Sequence, residues 1–351
     1  NNTSMSKYYK NRITGMGAWV VAFLFLCLPV AWGEEPETIQ NTFYVDKDAV
    51  VIDTEGTYRI TQQTLNVQTT NTITVKGNLR NVTIYLEGVN IKVGDCPFTI
   101  EQNAHVTLKL VGTNKLESTS WNKAGLCCAN YDGNPASLTI EGEGELMVTG
   151  GTYGAGIGGN YGGSSGGAGG GAGGTITIND GTVTATGDSG AGIGGGESGA
   201  GGNITITGGV VTATSDDGTG IGGGGGTGGD GDAGTFSTGE QGNAFIIASS
   251  IGDKDDISDW SGVIFLKDKA EEGASTYSGQ LYGEGNELIL PKETITIPEG
   301  HTLTIEEGQT LIAEEGTTLI NKGTITGGGN IEGENVPHKL TAENVKVVDA
   351  I

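Results

Sequence analysis

The chain has 351 residues, 66 of them glycine, 7 proline and 6% aromatic, with 42 Asp+Glu against 18 Lys+Arg for a formal charge of −24. Glycine far above a background of about 7%, without a Gly-X-Y period or matching proline, excludes a collagen triple helix. The negative charge excludes a nucleic-acid binder, which gains affinity from Lys/Arg neutralising phosphates, and β-branched runs between the glycines argue against plain disorder.

Residues 1–33 read as an export signal with its start at Met5: Lys7, Lys10 and Arg12 precede an apolar run over 18–32, and Ala31 and Gly33 are the small residues before Glu34. The run falls short of the roughly 18 residues of a spanning helix. An extracellular or cell-surface protein with no membrane insertion after cleavage is expected, an uncleaved anchor being the alternative. Cys96, Cys127 and Cys128 then remain. In an oxidising compartment Cys96 could bridge to either of the other two.

Residues 34–77 are expected to hold an N-terminal cap and the first strands. Over 78–248 a three-part unit repeats. Ile-Thr-Ile at 176–178 and Val-Thr-Ala-Thr at 183–186 return 28 residues later, as does Ala-Gly-Ile-Gly-Gly at 191–195 in the form Thr-Gly-Ile-Gly-Gly at 219–223, and looser copies precede them. Each part alternates with period two between Gly, Asn or Asp turns, which is strand chemistry. A unit this small cannot bury its apolar face alone, so the units must stack. The prediction is an all-β, right-handed, three-faced parallel β-helix with three inward ladders. Ile84, Leu108, Ile140, Ile178 and Ile206 belong to the first, Leu116, Leu146, Val183 and Val211 to the second, and Phe98, Leu126, Ile157, Ile193 and Ile221 to the third. Unit spacing grows from 24 to 32 to 38 residues at Val82, Val106, Leu138 and Ile176. The excess, at 160–174 and 224–242, is expected to leave as outward Gly-rich loops.

Beyond this, Phe-Ile-Ile-Ala at 245–248 reads as a last strand of the first face. Residues 249–351 form a C-terminal β segment in which Gly300, Gly308 and Gly316 mark an EGxTL-type period of eight. Eight residues suit one strand and one turn, so three copies should make one triangular coil of a second solenoid or a cap.

The Ala-Gly-Ile-Gly-Gly motifs at 155 and 191, Gly-Gly-Val-Val-Thr-Ala-Thr at 208–214, and Trp-Ser-Gly-Val-Ile-Phe at 260–265 followed by Ile-Thr-Ile-Pro-Glu-Gly at 295–300 resemble glycine-rich parallel β-helix surface proteins of gut-type bacteria, the carbohydrate-binding-domain-containing family. The resemblance implies the architecture and carries no catalytic signature.

Polysaccharide lyases and hydrolases need a basic proton acceptor or paired carboxylates, and no Lys or Arg occurs between Lys123 and Lys254. Asp216-Asp217 reads as a solvated turn. Asp230 and Asp232 resemble half of a Gly-rich calcium repeat, so Ca²⁺ is the one cofactor to consider. Trp121, Tyr131, Tyr153 and Tyr161 bracket third strands of successive coils, amid Asn130, Asp132 and Asn160. Rings beside short polar side chains suit sugar recognition. The expected function is a non-catalytic module that binds polysaccharide or a cell-surface glycan, or mediates adhesion. A structural stalk and a divergent polysaccharide lyase or hydrolase are the alternatives.

Overall fold

In a computed structural model the described residues are 38–64, 67–162, 169–226, 230–252, 258–268 and 276–333, and every regular element among them is a β-strand. The proposed export signal lies outside them. The fold is a parallel β-helix. Buried and partly exposed residues alternate along Val82–Glu87 and again along Ser137–Glu141, because only one face of each strand meets the core.

The first sheet has eight strands, from Asn41–Tyr44 to Thr235–Ser237, and every neighbouring pair is parallel. Ile84, Leu108, Ile140, Ile178 and Ile206 stand partner on partner along it, in the register that the repeat predicts. Phe98, Leu126, Ile157, Ile193 and Ile221 do the same on the third sheet. The second sheet stacks Leu116, Val148, Ala185 and Ala213. One row of that sheet holds a polar residue. Asn114, fully buried beneath Leu146, accepts the Val89 N–H at 3.0 Å and donates to the Glu145 carbonyl at 3.2 Å. Its amide thus satisfies backbone groups at a coil corner, as a buried amide must.

Within 34–77, Asn41–Tyr44 and Gly56–Thr61 join the first sheet while Val50–Ile52 and Ile73–Val75 join the third. Other expectations need correction. The glycine-rich segments do not simply leave the body. Gly169–Gly173 returns antiparallel to Leu126–Tyr131, and Thr235–Ser237 is a strand of the first sheet. The described parts of these loops also bond to one another from coil to coil, Gly196 N–H to Gly171 O at 2.7 Å and Gly224 N–H to Gly199 O at 3.0 Å. They build a second backbone layer against the third sheet.

The close stacking of the coils explains the glycines of the third sheet. Gly158, Gly194 and Gly222 stack in register on the third sheet with φ between 132° and 138°. A Cβ added at Gly158 or Gly194 would sit 1.9 Å from the carbonyl oxygen of the next glycine in the stack. Both the conformation and the space require glycine.

Phe245–Ala248 belongs to the second sheet, beside Val210–Thr214, and not to the first. Its residues face two cores in alternation. Ile246 and Ala248 join the main core, whereas Phe245 and Ile247 join a separate one with Val263, Phe265 and Leu303. Burial on both faces gives a continuous apolar run in place of alternation. The next strand, Gly262–Lys267, pairs antiparallel with Tyr277–Tyr282, so the chain reverses there and starts a second solenoid. The three period-eight copies then occupy three different sheets as His301–Thr304, Thr310–Ala313 and Thr318–Asn321. One coil is complete in three repeats.

The second solenoid touches the outer face of the second sheet through Glu293, whose Oε2 accepts from Thr182 Oγ1 at 2.7 Å. Partial burial pushes this carboxyl up, the Thr182 bond opposes the rise, and the charges of Asp180 and Glu143 add to it.

Two outcomes follow from these contacts. Gly194→Ala should cost ~3 kcal/mol or more in urea unfolding, from clash and positive φ together. Gly112→Ala, at φ 60° with open space around it, should cost about 1–2 kcal/mol from conformation alone. For Glu293, a carboxyl raised in the folded state binds more protons folded than unfolded. Stability should therefore fall as pH rises from the ordinary glutamate value through the raised one. Glu293→Gln, which keeps an acceptor for Thr182, should melt above the parent at pH 7, with the gap closing towards pH 4.

Candidate functional site

Three of the four aromatic residues selected from the sequence come together at the corner between the second and third sheets. Trp121 lies between Thr113–Ser118 and Leu126–Tyr131, and Tyr153 occupies the same corner one coil later, before Ile157–Gly158. The backbone sets the stacking: Tyr153 N–H donates to Trp121 O at 2.7 Å, and Tyr161 N–H to Asn122 O at 3.1 Å. Gly151 allows the two corner loops to touch, since a Cβ there would lie 1.7 Å from Ser120 O.

The three rings form a closed group. Centroids are 5.6 Å apart for Trp121 and Tyr153, 5.8 Å for Trp121 and Tyr161, and 5.2 Å for Tyr153 and Tyr161. These are favourable edge and tilted contacts. Trp121 remains 57% exposed, so the cluster presents apolar ring surface to solvent although its members already pack on one another. Isolated exposed apolar residues are ordinary, whereas a contiguous aromatic patch marks an interaction surface.

The other selected residues are placed differently. Tyr131 sits at the far end of its strand, where it lines a groove with Lys76, Glu101 and Gln102. Its hydroxyl lies 3.3 Å from Cys127 Sγ. Asn130 and Asp132 build the hairpin into Asn134–Pro135: Asn130 Oδ1 accepts the Gly133 N–H at 2.9 Å, and Asp132 has φ 53°. Both are turn builders rather than members of the aromatic edge. Asn160 is a bracket between coils, with Oδ1 accepting the Ala124 N–H at 2.8 Å and Nδ2 donating to Cys127 Sγ at 3.3 Å. It holds Tyr161 beside Trp121, and its polar atoms are committed to protein. Asp230 and Asp232 are exposed. Among the described residues no group of three His, Cys, Asp or Glu side chains is arranged to hold a metal ion.

An acidic row continues the aromatic edge and was not selected from the sequence. Ser189 N–H bonds to Thr152 O, and Glu197 N–H to Tyr153 O at 2.8 Å, so Asp188 and Glu197 follow the tyrosines by one coil. Asp216 and Asp217 come one coil further, with Asp217 N–H donating to Asp188 O at 3.0 Å. Burial, then the neighbouring Asp216 and Asp217 charges, pushes the Asp188 carboxyl up. The signal was present in the repeat, because Thr152-Tyr153, Asp188-Ser189 and Asp216-Asp217 stand at one offset before the Gly-Ile-Gly-Gly motif.

A separate cavity of about 480 Å³ opens where the two solenoids meet. Asn243, Tyr282, Glu284, Glu287 and Gln309 are among its lining residues. It contains none of the residues selected from the sequence.

No curated protein and no solved structure matches the chain. A family model described as a beta helix repeat matches residues 138–163, 176–197 and 204–225. Those segments are the coils in which the Gly-Ile-Gly-Gly strands stack, and over them the chain is similar to beta helix repeat proteins, in agreement with the parallel β-helix that it forms.

Proposed function

We propose that the protein is a non-catalytic polysaccharide-binding or adhesion module working outside the cell, with its binding edge at Trp121, Tyr153 and Tyr161. The contiguous aromatic surface on a rigid coil corner carries this reading. Ring faces pack on the apolar faces of pyranoses. The cluster lies on an edge that runs from coil to coil, so an extended polymer could lie along it. The acidic row beside it bears on the substrate class. Asp188, Glu197, Asp216 and Asp217 would repel a polyuronate and suit a neutral or amino-sugar polymer.

The same row favours one second reading. Asp188 stands beside Asp216 and Asp217 of the next coil, and neighbouring carboxylates are what glycoside hydrolysis uses. A stalk or spacer is the third.

A glycan array with neutral, amino-sugar and uronate polymers, followed by a reducing-end assay on any polymer retained, separates the three. Retention of neutral or cationic polymers without new reducing ends is the expected result. Release of reducing ends that Asp188→Asn abolishes would establish the hydrolase, and absence of both would leave the stalk. The double variant Trp121→Ala/Tyr161→Ala should lose at least ~10-fold in affinity, the order expected for removing two stacking rings at about 1 kcal/mol or more each. Unchanged retention would rule the edge out.

A further inference from the structure

We propose that Cys96 and Cys127 form a disulfide across the outer face of the third sheet, and that Cys128 stays a buried thiol. The sequence leaves Cys127 and Cys128 as equal candidates; the pleat separates them. In Leu126–Tyr131, Leu126 and Cys128 face the main core, while Cys127 and Ala129 face a small separate cluster with Cys96 and Ala124. Cys128 is therefore on the wrong side of its strand to reach Cys96.

Cys96 and Cys127 are already in contact. The Cys127 N–H donates to Cys96 Sγ at 3.2 Å, and Cys96 Sγ donates to Phe98 O at 3.0 Å. Both cysteines are unbridged in this structure.

The surroundings also distinguish the two sulfurs. Asn160 Nδ2 donates to Cys127 Sγ and the Tyr131 hydroxyl lies against it at 3.3 Å, whereas the Cys96 thiol donates to the Phe98 carbonyl. In the folded chain the neighbouring Cys96 thiol, then Tyr131, Lys123 and Asn160, draws the Cys127 thiol down against burial. Burial pushes Cys96 up.

With oxidised glutathione as the oxidant, one cysteine of the pair attacks a glutathione sulfur as its thiolate and expels a glutathione thiolate, which leaves a mixed disulfide. The other cysteine gives up its proton to that thiolate, then attacks the protein sulfur of the mixed disulfide and expels the second glutathione. Two protein thiols lose two electrons and two protons, and one oxidised glutathione becomes two reduced molecules. Because the folded coils cover both sulfurs, the exchange belongs to the folding chain, before the coil that carries Asn160 closes over Cys127.

The bridge closes a loop of 31 residues, so the oxidised protein should be the more stable form. The test refolds the full chain in a glutathione redox buffer or in excess reductant, alkylates free thiols under denaturing conditions, and maps the peptides without reduction. The expected product is one cross-linked species, two hydrogens lighter than its separate peptides, that joins Cys96 to Cys127, with Cys128 alkylated. Its melting temperature should exceed that of the reduced form by several degrees. Cys127→Ala should abolish the cross-link and the redox dependence of melting; Cys128→Ala should keep both. Full alkylation of Cys96 and Cys127 after oxidative refolding, or a link through Cys128 or Cys27, would overturn the proposal. The peptide map of the unmodified chain decides this even if a variant fails to fold.

Discussion

The spacing between coils governs this structure. Each strand hydrogen-bonds to its equivalent in the next coil, which holds the two backbones roughly 4.8 Å apart. On the first and second sheets that spacing is compatible with ordinary side chains, inward Ile, Leu and Val and outward Thr. On the third sheet a side chain at Gly158 or Gly194 would strike the carbonyl of the next coil, and a further backbone layer lies against the outer face, where a Cβ at Gly159 would strike Gly171 O. The glycine content is the chemical signature of backbone packed on backbone. It also fixes the short length of the third-sheet strands, because glycine adds no apolar area and the isoleucine beside it does the packing.

The same constraint places the aromatic cluster. Variation in length leaves between the third and first sheets, whereas the corner from the second to the third sheet keeps nearly the same length, so Trp121 and Tyr153 stack there on successive coils. Their separation is set by main-chain bonds such as Tyr153 N–H to Trp121 O, and not by the rings themselves. The rings therefore sit on a scaffold whose geometry would survive their removal. This makes the edge well suited to carrying different side chains on different coils, with Trp121, Thr152, Asp188 and Asp216 at one position of four successive coils. It also means that the charge of the edge and its aromatic content are independent variables along the solenoid.

Much of this was legible because the repeat is strict. Matching Ile84 to Leu108, Ile140, Ile178 and Ile206 needed only the period-two alternation and the unit spacing, and each pair stands in the inferred register. The errors arose where a second layer covers a strand. Phe245–Ala248 has no alternation to read because both of its faces are buried, one against each core, and it was placed on the wrong sheet. Thr235–Ser237 lay inside a segment that looked like a loop by its glycines. Tyr131 follows the pleat of its strand to the cysteine cluster, although its distance in sequence from Trp121 suggested a shared edge. Asn130, Asp132 and Asn160 are polar and close to the rings in sequence, but the side chains of Asn130 and Asn160 are bonded within the protein and Asp132 sits in the hairpin turn. Proximity in a sequence of short strands says little about which groups remain free.

Asn160 joins the two chemistries of this region. Its amide bonds to Cys127 Sγ on one side and its carbonyl holds the Ala124 N–H on the other, while the next residue, Tyr161, belongs to the aromatic cluster. The cysteine pair and the aromatic edge are consequently parts of one cross-coil joint, the first buried and the second exposed. A covalent bond at Cys127 would restrain the strand directly below Asn160, and so the base on which Tyr161 rests. Pre-organised rings lose less freedom when a ligand packs on them. The physical link between the two sites therefore runs through rigidity and not through charge, because the sulfurs are enclosed and the rings are not.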